Sequence, residues 1–167
     1  AETEELARSV PDNGGVVVVP ALSGLGAPHW RPEARGIISG LGFDTGCAHI
    51  ARAALEAMAH QTYDLASAFA ADGYEWTGLR IDGGMAANDW MAQDIADLLG
   101  LPVTRPDFVE TTALGAAMLA AVGCGMKADL QEAAETMIGT GQLFEPQMED
   151  GSRRQRLARW DEAIAKI

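Results

Sequence analysis

The chain has 167 residues, 48% of them apolar, and a formal net charge of −12. That length and apolar share give one domain with a real core and exclude a disordered chain. The acidic balance excludes a nucleic-acid surface, which needs clustered Lys and Arg, so any bound phosphate must rely on backbone dipoles, a metal ion or a few local cations.

In chain order, residues 2–8 read as a helix entered midway, and the chain is expected to be a piece of a longer protein. Pro11-Asp12-Asn13-Gly14-Gly15 is a turn signal, and the β-branched run at 16–19, bounded by breakers, predicts a buried strand. Residues 20–36 form a loop shaped by its glycines and prolines, with Trp30 expected to anchor it by packing. Residues 37–41 predict a second strand, antiparallel to the first. Asp44 or Thr45 is expected to cap a long helix that ends at Asp72-Gly73. Its apolar face is read from Ile50, Ala54, Met58, Gln61, Leu65 and Phe69, and its many alanines permit close packing. Glu56 and His60 lie one turn apart on it and are expected as a solvated pair.

A third strand is predicted at 79–81 and runs into the two-glycine turn Asp82-Gly83-Gly84. Asn88 is a good N-cap for a helix that carries Met91, Ile95, Leu98 and Leu99 on one face and stops at Gly100. Residues 102–106, with a proline at each end, predict an edge strand. Thr111 or Thr112 is expected to cap a helix of small residues in which Gly115 costs about 1 kcal/mol relative to Ala. Close approach to the Gly83-Gly84 turn, a base lying there, or plain helix packing would each account for it. A short helix around Leu130, Ala133 and Met137, an extended or turn piece at 144–146, and a last helix capped by Ser152 complete the chain. Leu157, Trp160, Ile164 and Ile167 give that last helix an apolar stripe expected in the core. Early antiparallel strands followed by strands alternating with helices predict an α/β fold with a mixed sheet flanked by helices.

The candidate site is the stretch Leu79-Arg80-Ile81-Asp82-Gly83-Gly84-Met85-Ala86-Ala87-Asn88. Glycines let the backbone bend sharply and approach a ligand, and N–H groups beside a helix N-terminus attract anions. This is where a nucleotide phosphate is expected. An ordinary strand–turn–helix connection has the same spacing, and no G-x-G-x-x-G fingerprint occurs. Cys47 and Cys124 are expected as buried free thiols, and His29, His49 and His60 show no metal-ligand spacing. No apolar run suits a membrane span and no signal peptide opens the chain, so a cytoplasmic protein is expected.

Three segments in register carry a family resemblance. The first is Val19-Pro20-Ala21-Leu22-Ser23-Gly24-Leu25-Gly26-Ala27-Pro28-His29-Trp30, with Pro32 and Ala34-Arg35-Gly36 following. The second is Gly36-Ile37-Ile38-Ser39-Gly40-Leu41 with His49-Ile50, Arg52-Ala53 and Leu55-Glu56. The third is Asp82-Gly83-Gly84 with Asn88, Arg105-Pro106 and Thr112-Ala113-Leu114-Gly115-Ala116-Ala117. Together they resemble the FGGY family of carbohydrate kinases, from about Asn13 to Gly125.

The resemblance implies an actin-like ATPase (ribonuclease-H-like) fold, with residues 1–167 as the C-terminal of two such domains and ATP in the cleft between them. It implies in-line phosphoryl transfer from ATP, carried with Mg2+, to a polyol hydroxyl. The Gly24-Leu25-Gly26-Ala27-Pro28 loop favours glycerol. A pentulose kinase and a non-catalytic actin-like nucleotide-binding module are the alternatives. By similarity Gly84 offers its amide to a phosphate, Asn88 lies near the ribose or adenine, and Gly83 and Met85 shape the pocket wall. The catalytic base and the polyol contacts are implied to lie upstream of Ala1, so no acid here, Asp82 included, is expected to be catalytic and no metal ligand is expected. The full-length enzyme is expected to be a homo-oligomer. His29, in place of the usual Tyr, and Arg31, in place of an acid, depart from the family's pattern.

Overall fold

The computed structural model describes residues 2–167. Its elements run α1 (Glu2–Arg8), β1 (Val17–Val19), β2 (Ile37–Ser39), α2 (Cys47–Ala71), β3 (Leu79–Arg80), a one-turn 3-10 helix (Gly84–Ala87), α3 (Asp89–Leu99), β4 (Val103–Arg105), α4 (Thr111–Gly123), α5 (Leu130–Met137), β5 (Gln142–Phe144) and α6 (Asp150–Ile164).

The strands do not form one mixed sheet. β1 and β2 make an antiparallel ribbon in which Val17 faces Ser39 and Val19 faces Ile37. A separate sheet has the order β3-β4-β5, with β3 parallel and β5 antiparallel to β4. β4 is therefore central, not the expected edge strand. Pro102 and Pro106 stand just outside it, so neither removes a donor from its ladder. The unforeseen partner β5 is three residues long and buries only Phe144, too little alternation for a strand pattern to show.

Two apolar cores result. One packs Ala59 of α2 and the Met91, Ile95 and Leu98 face of α3 onto Val103 and Phe144. The other gathers Val19, Ala21, Leu25 and Ala34 around Trp160 and Ile164 of α6, the expected stripe. α6 serves both, since Leu157 packs against the first core and Trp160 sits within the second.

A buried polar layer lies among the helices that join these cores. Arg156 of α6 donates from both terminal nitrogens to Asp94 of α3, at 2.5 and 2.9 Å. Glu56 of α2 accepts from Asn13 at 2.6 Å and from Arg52 at 3.1 Å, with Arg156 3.9 Å away. His60 stacks on Trp160 with ring centroids 4.9 Å apart and donates from Nδ1 to the Glu56 carbonyl at 2.8 Å. Trp160 in turn donates to Asp64, which also meets His29 at 2.8 Å. Glu56 and His60 are thus inside the protein, against the expectation of a solvated pair. The buried residues of α2 are Ala53, Leu55, Glu56, Ala57, Ala59 and His60, whereas Ala54, Leu65 and Phe69 of the expected stripe are exposed. Counting apolar side chains misplaces the inner surface because two of its long members, Glu56 and His60, are polar.

The helix ends divide in the same way. Asn88 caps α3 by accepting the Met91 N–H at 2.9 Å, and Gly100 ends it at φ 67°. α2 begins after Gly46, whose N–H donates to His49 Nδ1, so neither Asp44 nor Thr45 caps it. Glu149 precedes α6, and Ser152 lies inside its first turn. Both cysteines are exposed free thiols, which corrects their expected burial, and Trp30 is 74% exposed with φ 51°, so it is not the packed anchor expected of it.

Burial, aided by the nearby Arg156 charge, holds His60 down to about 4 from its ordinary 6.5. The unfolded chain takes up that proton below 6.5 while the native fold refuses it until about 4. The stability tied to neutral His60 is therefore complete above the upper value and is lost as pH falls through the lower one, on the order of 3 kcal/mol. Glu56, raised by burial, works in the opposite sense near its own range. Replacing His60 with Phe keeps the stack on Trp160 and removes the titration. Urea unfolding of parent and His60→Phe from pH 7 to 4 is expected to show the parent losing roughly 2–3 kcal/mol relative to the variant.

Candidate functional site

β3 ends in the glycine turn. Ile81 still pairs with β4, its N–H donating to Thr104 O at 3.0 Å, before the chain leaves the sheet. Gly83 has φ 84°, a conformation that strains any other residue. The chain does not pass straight into α3 as expected. Gly84–Ala87 forms a 3-10 turn first, and Asn88 then caps α3. A 3-10 helix leaves its first N–H groups without carbonyl partners. Among the described residues the amides of Gly84 and Met85 donate to nothing, and both residues are exposed. A Cβ built on Gly83 or Gly84 meets no atom within 4 Å, so the space before the turn is open.

The glycines have no side chains to hold this shape, and neighbours supply the grip. The Gly83 N–H donates to Val109 O at 3.0 Å. The Thr111 hydroxyl donates to the Asp82 carboxylate, so Thr111 ties α4 to the turn and does not cap its helix. Arg105 Nη1 donates to Ala86 O at 2.7 Å. Its Nη2 meets Asp89 at 2.7 Å and Gln142 at 2.6 Å.

Two cavities flank the turn. One, of about 410 Å³, is walled by Glu4, Leu55, Gly84, Met85, Asn88 and Met91. It gathers the site residues read from the sequence, apart from Gly83, which stands at its entrance turn. Asn88 brings only part of its carboxamide, since its oxygen already accepts from Met91 and its NH2 remains. The other cavity, of about 390 Å³, opens at the carboxyl ends of parallel β3 and β4 and is lined by Ile81, Asp82, Pro106, Leu114, Gly115 and Ile138. Ligands of open α/β sheets bind in such a crevice. Ile138 and its neighbours up to Gly141 carry no sequence signal, because they reach the site only through the fold. Arg105 stands on β4, nineteen residues after Ala86, and only the pairing of β3 with β4 brings it to the turn.

The departures at His29 and Arg31 lie elsewhere. His29 pairs with Asp64 beneath Trp160, and Arg31 Nη1 donates to the carbonyls of Ile164 and Ile167 at the end of α6, a favoured place for a cation. Both serve the second core. Among the described residues no group of three or more His, Cys, Asp or Glu side chains is placed to hold a metal ion. No helix there is long and apolar enough to cross a membrane.

The chain as a whole is similar to known proteins. The profile of the FGGY family of carbohydrate kinases, C-terminal domain, matches residues 1–124, and the chain belongs to that family. More particularly, it is 51% identical to the glycerol kinase of Rhodospirillum centenum and 52% identical to that of Aromatoleum aromaticum, in each case over 99% of this chain and 33% of the relative. It thus spans about a third of the length of the curated relatives it matches. The crystal structure of Plasmodium falciparum glycerol kinase with ADP superposes at a TM-score of 0.85 and 32% identity, covering 99% of this chain and 33% of that one. A xylulose kinase from Rhodospirillum rubrum superposes at 0.73 with 26% identity, covering 98% of this chain and 33% of that one.

Gly115 is placed for space and not for helix packing, because α4 buries no residue and a Cβ at Gly115 meets nothing within 4 Å. Gly115→Ala is therefore expected to raise stability by about 0.5–1 kcal/mol, the ordinary gain for that exchange inside a helix, measured by urea unfolding. A loss of stability would mean that the position is packed.

Proposed function

We propose that the full-length protein is an ATP-dependent kinase that phosphorylates glycerol to glycerol 3-phosphate, and that residues 1–167 form the C-terminal of its two actin-like, ribonuclease-H-like domains. The observation that carries this reading is the pair of undonated amides at Gly84 and Met85, held open beside two cavities in a chain half identical to glycerol kinases. The ADP in the Plasmodium falciparum relative supports a nucleotide here.

In this reading the phosphates lie on the amides of Gly84 and Met85, beyond the bend at Gly83, and the NH2 of Asn88 meets the ribose. The cavity walled by Gly115 gives the purine ring a mostly apolar seat. Main-chain dipoles suit an acidic chain, since they attract an anion without adding net charge. Magnesium would arrive on the nucleotide phosphates, as no cluster of three or more His, Cys, Asp or Glu occurs among the described residues to hold it. The other domain supplies the base and the polyol contacts, and its closure excludes water from the transferring phosphoryl group. A cytoplasmic homo-oligomer is the accompanying expectation.

The full-length protein is expected to release ADP from ATP only when glycerol and magnesium are both present, while residues 1–167 alone release none. Turnover with a pentulose and not with glycerol would overturn the substrate and keep the family. Gly84 has room for a side chain and an ordinary φ, so Gly84→Val is expected to fold normally and to raise the KM for ATP roughly 10–100-fold through loss of close approach. Gly115→Leu, which fills the purine seat, is expected to raise the same KM at least tenfold while the KM for glycerol stays put. Parent-like ATP kinetics in Gly84→Val would remove the phosphate from this turn.

A further inference from the structure

We infer that Arg105 is a positioning residue for the nucleotide: its guanidinium holds the Gly84–Ala87 turn in the shape that aims two free amides at the phosphates. The inference rests on the function proposed above.

Anion binding by main-chain amides depends on their being fixed before the anion arrives. The turn cannot fix itself. Its glycines present nothing to pack, and a single 3-10 turn has poor internal hydrogen-bond geometry. Its one buried residue is Ala86, whose carbonyl points away from the amides of Gly84 and Met85 along the same short helix. Arg105 takes that carbonyl at 2.7 Å. A cation there satisfies the acceptor end of the turn and leaves its donor end to the ligand.

The guanidinium is itself held on several sides. Asp89, the first residue of α3, and Gln142 of β5 both engage Nη2, and the ring of Phe144 lies beneath with its centroid 5.4 Å from Cζ. Arg105 thus joins the turn, the helix that follows it and the two strands at its back. The side chain is only 13% exposed, so it is tied to protein atoms and not free to reach a phosphate directly. Lysine cannot replace it. An ammonium on a flexible stem lacks the planar fork that meets a carbonyl, a carboxylate and an amide together.

The test uses the full-length protein and compares Arg105→Lys, Gly84→Val and parent by amide hydrogen exchange without nucleotide and by steady-state kinetics. Arg105→Lys is expected to speed exchange of the turn's hydrogen-bonded amides, those of Ala86 and Asn88, at least tenfold, to raise the KM for ATP at least tenfold, and to leave the KM for glycerol within twofold. A residue that only supported the fold would lower the melting temperature and move both KM values or neither. Should Arg105→Lys fold poorly, Asp89→Asn, which frees the guanidinium from one partner, is expected to move ATP alone in the same direction by about threefold. Unchanged exchange across the turn overturns the proposal. So does faster exchange with an unchanged KM for ATP while Gly84→Val raises it, because the clamp then does not serve the nucleotide. If neither variant alters the KM for ATP, the phosphate is not at this turn, and the site reading falls together with the inference.

Discussion

Arg156 meets Asp94 through both terminal nitrogens at the place where α2, α3 and α6 come together. The two apolar cores share no buried residue, and α6 is the element with side chains in both. A helix with a weakly apolar face would hold such a position poorly by burial alone. The bidentate pair fixes its register against α3, and Glu56, 3.9 Å from the same guanidinium, extends the grip to α2. Replacing an entire buried ion pair with apolar residues is often tolerated, whereas removing one partner strands the other and is costly. Asp94, Glu56, Arg156 and Arg52 therefore stand or fall as a group. The family's profile ends at residue 124, before α5, β5 and α6, yet α6 closes both cores.

Local chemistry made much of this readable from residues. The antiparallel pairing of β1 with β2 followed from two short β-branched runs bounded by breakers, and the limits of α3 followed from Asn88 and Gly100. The turn at Gly83-Gly84 was readable because the strand residues, the two glycines and the Asn88 cap all lie within one short stretch. What escaped was set by tertiary structure. Glu56 and His60 have the spacing of a surface pair, and their burial rests on groups from elsewhere in the chain: Asn13 and Arg156 beside Glu56, and Trp160 against His60. The same long-range pairing hides the true inner face of α2. β4 looked like an edge because prolines flank it, and it became central when β5, too short to show a pattern, paired on its far side.

The site was half readable, for a related reason. Gly83, Gly84, Met85 and Asn88 lie within six residues, so a local motif contains them. Arg105, Thr111 and the Ile138–Gly141 wall come from three later parts of the chain, and only the sheet brings them to the turn. Even within the motif the local reading was too simple. A direct entry into α3 would have put a full helix dipole behind the glycines. The chain instead inserts a 3-10 turn, and the dipole of α3 begins at Asn88, whose oxygen is already committed to capping it. The amides available to a ligand are those of the short turn, which has little dipole and little stability of its own.

That shifts the physical burden of binding from the motif to its surroundings. An acidic chain gains little by gathering lysines at a phosphate site, since their charge would be offset by nearby carboxylates and their side chains would need ordering. Two fixed amides avoid both costs, provided that something else keeps them fixed. The Gly83 N–H is spent on Val109, Asp82 on Thr111 and the Ala86 carbonyl on Arg105, so the hydrogen-bonding groups around the pair are engaged with protein while the pair itself is not. Two of those three tethers lead to β4 or to the loop after it. A shift of β4 in its register against β3 would move the carbonyl, the guanidinium and the cavity beside Gly115 together, so the precision of the candidate site is the precision of one short parallel pairing, Leu79 with Val103 and Arg80 with Thr104.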